Sequence, residues 1–434
     1  MNKKLGNLFK GDKGVWTVFF FLCLISIIEV FSASSTLSYR SHNYMEPIIY
    51  HSIILLFGVF LTIVALNIPC RYFKLLTPIL LFISYATLFW VLLFGESING
   101  ANRVIQLPGF TFQPSELAKG TMVLATAQIL SAMQRDNGKG ADPKAMKYIL
   151  WLVIPTVALI GLENLSTAVL LFGVIFLMMF IGRVPMVQMG KLTGVLVLLG
   201  AAFLALVLYL GKMDEKAEEQ NLAQTEQIDD ATQTDTEKGE SWVNKVFHRF
   251  GTWRHRLVDR EPKPKDPKDY NVRDNFQVAH ANFAVASSGV IGKGPGNSVE
   301  RDYLPQAFSD FIFSIIIEEM GLIGAIVVVF LYIILLIRAA RISARCENNF
   351  PAFLVMGLAL LLVSQATINM MVAVDFGIVT GQPLPLVSKG GTSTLVSCAY
   401  IGAMLSVSRS AQRNVKPADD EDFQEYTDPT TIEE

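Results

Sequence analysis

Charged residues are scarce in this 434-residue chain: Asp, Glu, Lys and Arg together make up 17%, against roughly 25% in a soluble domain. The charge present falls in a few hydrophilic stretches, which leaves the hydrophobic 52% in long runs. An ordinary water-soluble globule is excluded, and a polytopic membrane protein is indicated. Cysteine is scarce too. Cys23, Cys70, Cys346 and Cys398 lie in or beside apolar runs without C-x-x-C spacing, which excludes a zinc site of that kind and a disulfide framework. The formal net charge of −2 hides an acidic segment from Pro417 to Glu434 and basic short loops, so charge layout is more informative than its sum.

A helix needs roughly 20 apolar residues to cross the hydrocarbon core. Ten such spans are predicted, at 15–33, 48–67, 75–94, 117–133, 147–162, 165–181, 192–210, 311–337, 351–374 and 386–407. The fold class expected is an all-α integral membrane protein with about ten transmembrane helices and a long outer loop between the seventh and eighth. The fourth span, LAKGTMVLATAQILSAM, mixes small and polar residues, as suits a helix packed inside a bundle. The first contains Glu29 and ends on Ser32-Ala33-Ser34, small residues that a signal peptidase would accept; we read it as a retained span with Glu29 facing other helices. The domain reading is a cytoplasmic N-terminus (1–14), seven spans (15–210), a large loop (211–307), three spans (308–408) and an acidic tail (409–434).

Orientation follows from Lys and Arg. Alternate short segments carry 18 of them, against Arg40, Arg103 and Lys389 in the short loops opposite. By the positive-inside rule both termini are cytoplasmic, and the unusual sequence falls on the outer face. In the long loop, 214–240 has almost no branched apolar or aromatic residues and reads as disordered. SWVNKVFHRFGTWRHRL then spaces Trp242, Val246, Phe250, Trp253 and Leu257 by three and four with basic residues between, a basic amphipathic helix for the membrane interface or for the protein's own outer surface. EPKPKDPKDY reads as an extended linker.

Three constellations could carry chemistry. In GESINGANRVIQLPGFTFQPSELAK, Pro114 takes the first position of the fourth span, with Ser115 and Glu116 in its first turn. Arg103 comes from a Gly-containing turn and Lys119 lies one turn into the membrane; two cations there suit a diphosphate, and headgroup snorkelling is the alternative for each. In GVIGKGPGNSVERDYLPQAFSDFIFSIIIEEMGLIG, a glycine-rich turn precedes Asp302, then Asp310 at the mouth of the eighth span, then Glu318 and Glu319 within it. Asp310 suits a general base or a divalent-cation ligand, whereas Glu318 and Glu319 are read as buried and hydrogen-bonded or paired with a cation. Asp310 and Glu318, eight residues apart, are expected on similar helix faces about 12 Å apart along the axis. The third constellation runs from Asp375 through VTGQPLPLVSKGGTS; its prolines and glycines at membrane depth indicate re-entrant backbone. Gln365 and Asn369, one turn apart in the ninth span, more often join helices than touch ligand.

With GANR, LPG and FQPSELAK, then GNS, YLP, DFIF and EE, then QATIN, LPLVSKGGTS, all in order, the chain resembles the SEDS family of shape, elongation, division and sporulation proteins. Asn102 and the extended FQPSELAK look more like the division branch than the elongation branch. The resemblance implies a peptidoglycan glycosyltransferase of the bacterial inner membrane. It would polymerise lipid II at the outer face, release undecaprenyl diphosphate, and work with a class B penicillin-binding protein and other division proteins. No nucleic-acid partner is expected. The resemblance makes Asp310 the catalytic group and a ligand of a divalent cation, Mg or Mn. It makes Arg103 and Lys119 cationic cavity residues; Lys389 is read as a further cation near the cavity, and Asp302, Ser309, Glu318, Gln365 and Asn369 as supporting residues.

Three departures stand out. Phe308-Ser309 replaces the family's usual His-Thr, Lys389 replaces the Tyr of an SYGGS-type motif, and ENLST (163–167) replaces PDLGT. The rival readings are a transporter of lipid-linked sugar, which would favour related halves and sites near the midplane, and a non-catalytic division scaffold. No internal repeat is seen, and the polar constellations cluster at one membrane boundary, which favours interfacial chemistry.

Overall fold

The computed structural model describes residues 10–33, 46–94, 96–98, 101–107, 110–135, 140–225, 276–304, 307–377 and 379–413. The basic amphipathic stretch and the Pro-rich linker of the long loop lie outside them. The chain divides into two compact units, residues 186–275 and the remainder.

In the larger unit the order is α1 (Lys13–Ala33), α2 (Glu46–Asn67), α3 (Cys70–Phe94), strands β1 (Glu96–Ile98), β2 (Ala101–Leu107) and β3 (Phe110–Phe112), α4 (Pro114–Ala132), α5 (Lys144–Glu163) and α6 (Leu165–Ile181). The second unit contributes α7 (Met186–Thr225), after which the larger unit resumes with α8 (Phe276–Ser287), α9 (Ile312–Ala344), α10 (Asn349–Ala373) and α11 (Gly391–Arg413). Among the described residues, eight helices are long and apolar enough to span a membrane; α4 is too polar for that measure and α6, at 17 residues, too short. Together they make the ten expected spans of a multi-pass membrane protein.

Composition explains which helices are central. α4 buries 14 of its 19 residues, whereas α3, built from LLTPILLFISYATLFWVLLF, buries only 5 of 25. Small residues let α4 sit against α3, α5, α6 and α10 at once. The large apolar side chains of α3 point outward, as lipid requires. Glu29 on α1 is fully buried, as its place in an apolar helix led us to expect.

The structure corrects several expectations. The all-α class gains a small antiparallel sheet in the order β1-β2-β3, with Ile105 opposite Phe112, so Arg103 lies in a strand rather than a Gly-containing turn. α7 continues to Thr225, well past residue 210, because KMDEKAEEQNLAQT, although too polar to bury, is rich in good helix formers. The expected disorder of 214–240 is therefore wrong for 214–225, and 226–240 lies outside the described residues. α9 extends to Ala344 rather than 337, its last turns carrying Arg338 and Arg341. α11 starts at Gly391 rather than 386, because Leu386 has φ 67°, which no α-helix accommodates.

Two ends of the larger unit are fixed by contacts. At the basic end Arg338 reaches Asp12 (3.5 Å), Arg409 donates to Asn67 and Ser406 to the Ile68 carbonyl (2.5 Å). At the other end lie the sheet, α8, the glycine-rich loop and the re-entrant loop 379–390.

Candidate functional site

Asp310 sits in the turn just before α9, with Phe311 as the helix N-cap, and so lies off the helix rather than on one face with Glu318. The Ser309 hydroxyl donates to its Oδ1 at 2.9 Å. Its backbone carbonyl accepts from Asn369 Nδ2 (2.8 Å), and the same amide also donates to the Gln382 carbonyl (2.7 Å). A side chain expected to join helices thus joins α10 to the turn bearing the carboxylate and to the re-entrant loop.

That loop is anchored on all sides. Gln365 Nε2 donates to the Pro383 carbonyl (3.1 Å), Tyr332 to that of Pro385 (2.5 Å) and Ser26 to that of Val387 (2.7 Å). Gln382 donates to Thr167 at the start of α6, where Asn164 caps the helix by accepting from the Thr167 amide. Non-helical backbone inside a bundle leaves polar groups that need partners, and Gln365, Tyr332 and Ser26 each satisfy one carbonyl of the loop. Ser388 then accepts from the Leu384 amide (2.8 Å) and donates to the Ser309 carbonyl (2.6 Å), while the Lys389 amide donates to the Phe308 carbonyl (2.9 Å). The loop is therefore stapled to the residues beside Asp310. Thr392 extends the assembly, accepting from the Gln113 amide (3.1 Å) and donating to the Thr111 carbonyl. All three constellations meet here.

Two departures from the family pattern touch each other. The Lys389 ammonium lies 5.0 Å from the centre of the Phe308 ring, a cation–π contact beside Asp310. Lys119 lies in the first turns of α4. It is fully buried, 2.9 Å from Glu116 Oε1 and 2.7 Å from Gln365 Oε1, so its charge is met within the protein. Tyr400 packs on Gly120, where a Cβ would clash with its ring, and donates to the Glu116 carbonyl (2.7 Å). The side chain of Arg103 lies outside the described residues, so a convergence of the two cations is not described.

Glu318 and Glu319 show the pairing expected of them. α9 breaks at Gly321 (φ 70°, ψ −170°), which frees the carbonyls of Glu318 and Glu319 and the amides of Leu322 and Ile323. The glycine-rich loop supplies all four partners. Lys293 and Gly294 amides donate to those carbonyls (3.0 and 2.8 Å), and the carbonyls of Gly289 and Val290 accept from the two amides (both 3.3 Å). The backbones approach so closely that a Cβ on Gly292 or Gly321 would lie 2.3 Å from main-chain atoms, and both have positive φ. The two buried carboxylates hold the rest of the loop. Glu318 accepts from Lys293 Nζ (2.6 Å), the Ser298 hydroxyl and the amides of Val299 and Glu300; Glu319 accepts from the amides of Gly296 and Ser298 and from the Ser32 hydroxyl. Asp302, in the 3-10 turn Glu300–Asp302 that follows, is nearly half exposed beside the Arg301 guanidinium (3.8 Å). Glu300 is tied to α8 through His280 (2.5 Å), whose ring stacks on Tyr303.

Sequence reasoning gave no individual role to Ser26, Thr167, Tyr332, Ser388 or Thr392, the second, fourth and fifth of which lie in quoted motifs. Each is a single polar residue in an apolar helix or a loop, with no spacing to mark its distant backbone partner.

A family model described as cell cycle protein, covering FtsW, RodA and SpoVE, matches residues 12–226 and 246–413. The chain belongs to this SEDS family. Within it the similarity is to FtsW: the probable peptidoglycan glycosyltransferases FtsW of Trichlorobacter lovleyi and Halomonas elongata are each 28% identical, covering 89% and 92% of this chain and 90% and 91% of theirs. Among solved structures, the fold is similar to a chain of a peptidoglycan synthase complex that coordinates polymerization and crosslinking (TM-score 0.65, 23% identity, 92% of this chain and 98% of that one). It is also similar to the rod shape determining protein RodA of Thermus thermophilus (TM-score 0.58, 22% identity, 93% and 99%). The SEDS gap at 227–245 falls in the polar part of the long loop.

Proposed function

We propose that this chain is a peptidoglycan glycosyltransferase that polymerises lipid II into glycan strands during cell division. What supports the reading is that the three polar motifs meet around Asp310 at one end of the bundle, in a chain whose SEDS relatives carry that name. The donor and acceptor are lipid-linked, so the reaction belongs at a membrane boundary, and Asp310 lies at the mouth of a span. In this reading that end faces outward, both termini face the cytoplasm of the inner membrane, and a class B penicillin-binding protein is the partner.

Asp310 takes the proton of the acceptor GlcNAc hydroxyl. That oxygen bonds to the anomeric carbon of the donor MurNAc, the carbon inverts, and its bond to the diphosphate oxygen breaks, releasing undecaprenyl diphosphate. Ser309 orients the carboxylate by its hydrogen bond. Lys389, with Arg103, offsets the negative charge that develops on the leaving diphosphate. Lys119, neutralised by Glu116, supports the site through Gln365 and the re-entrant loop. Among the described residues no three His, Cys, Asp or Glu side chains converge. One carboxylate with an adjacent hydroxyl fits the way Mg2+ is taken up mainly by water and substrate phosphates. Asp310 and Ser309 would hold such an ion, which would neutralise diphosphate charge.

The test is polymerisation of labelled lipid II by purified protein with its cognate penicillin-binding protein. Wild type should make glycan strands and a well-folded Asp310→Asn variant none. Equal product from both would remove Asp310 as the base, and no product from either with the partner bound would favour transport or scaffolding.

A further inference from the structure

At the basic end, opposite Asp310, the described residues line an open pocket of about 600 Å³. It lies where α4 and α6 end and α10 begins. Arg135 and Arg183 line it, together with Gln134 and the apolar side chains of Ala132, Ile181 and Phe353. Its frame is rigid. The chain after α4 folds back on itself, Gln134 pairing with Ala141, and Gln134 Nε2 donates to the Gly182 carbonyl (2.9 Å). The Ala141 amide donates to the Arg183 carbonyl (3.2 Å), and Gly140, with φ 84°, lies so close that a Cβ would be 2.4 Å from that carbonyl oxygen.

Arg183 is the unexpected residue. It closes the α6 terminus with φ 54°, the left-handed conformation that ordinarily calls for glycine, in a chain that has Gly182 immediately before it. A long cationic side chain kept at a strained backbone position points to a use for the side chain. Arg183 is exposed and forms no ion pair among the described residues, whereas Arg135 shares its charge with Asp142 at 3.3 Å.

We propose that this cavity binds the phosphate headgroup of an anionic phospholipid. Guanidinium groups suit phosphate oxygens, and Ala132, Ile181 and Phe353 place apolar side chains beside them, against which the start of the acyl chains would lie. A basic pocket between transmembrane helices on the side that the positive-inside rule assigns to the cytoplasm is the setting in which anionic headgroups are held. Asp142 opposes an anion near Arg135, so Arg183 carries most of the attraction.

The test uses the full-length protein in neutral detergent and phosphatidylcholine nanodiscs, with added phosphatidylglycerol as the probe. Retained lipid is read by native mass spectrometry and stability by the thermal midpoint. Wild type retains phosphatidylglycerol and gains thermal stability from it. Arg183→Gly relieves the backbone strain, so it unfolds at a higher temperature than wild type in neutral detergent. It nevertheless retains phosphatidylglycerol about tenfold more weakly, the loss expected of one charge-assisted contact, and loses the lipid-induced rise. Arg71→Gln, outside the cavity, keeps the wild-type response. The proposal is overturned if phosphatidylglycerol does not stabilise wild type, if Arg183→Gly and Arg183→Glu respond as wild type does, or if inorganic phosphate reproduces the full effect, which would make the ligand a soluble anion.

Discussion

Phe308 and Lys389 depart from the family pattern in complementary ways: an aromatic ring stands where an imidazole is usual, and a cation where an aromatic is usual. Their contact at 5.0 Å makes the two departures a single exchange. Swapping one alone, Phe308→His or Lys389→Tyr, removes or duplicates the cation beside Asp310 and should lower polymerisation by about tenfold or more. The double variant should recover much of it, and a double-mutant cycle with no coupling would show that the two act independently. Lys119 and Glu116 behave differently because both are buried. Lys119→Met leaves an uncompensated carboxylate and should cost about 3–5 kcal/mol of stability. Adding Glu116→Gln should return most of that loss in a thermal unfolding measurement, and no recovery would show that the lysine's stem, not its charge, is what matters.

The break in α9 shows why an element can be positioned by a loop far from any substrate. The glycine-rich segment supplies a partner to each of the two amides and two carbonyls freed by the break, and the carboxylates of Glu318 and Glu319 then gather the following amides. Gly292→Ala places a Cβ against backbone at a positive φ, and should destabilise by about 2–4 kcal/mol. Limited proteolysis within 288–304 should become faster, and an unchanged cleavage rate would show that the loop does not need this close approach. At the start of α5, Asp142 accepts from the Lys144 amide (2.8 Å), which with the Arg135 pairing holds its carboxyl below the usual range. A depressed folded pKa means that this contribution is complete above the ordinary aspartate range and is lost as pH falls through the lower folded value. Asp142→Asn should therefore flatten the acid limb of the stability profile, by a small amount because the pair is exposed.

At the scale of the whole molecule, a central polar helix, α4, is shielded by apolar helices that face lipid, and the three loop systems at one end are joined through it and α10. The SEDS match passes over 227–245, where DDATQTDTEKGESW offers little to bury. Deleting 229–239 should leave membrane insertion and the thermal midpoint unchanged, and a lower midpoint would mean that the segment packs on the bundle. The number of spans, the buried character of α4 and the re-entrant loop were all legible in the sequence. Hydropathy, helix-opening Pro114 and paired prolines and glycines act locally, so one stretch of chain carries the whole signal. The sheet bearing Arg103, the contact of Lys389 with Phe308 and the burial of Lys119 against Glu116 and Gln365 were decided only by tertiary structure. Lys389 and Lys119 each meet a partner brought across the bundle, Phe308 and Gln365, which a linear pattern does not contain, and the strands within 96–112 are too short for alternation to mark them.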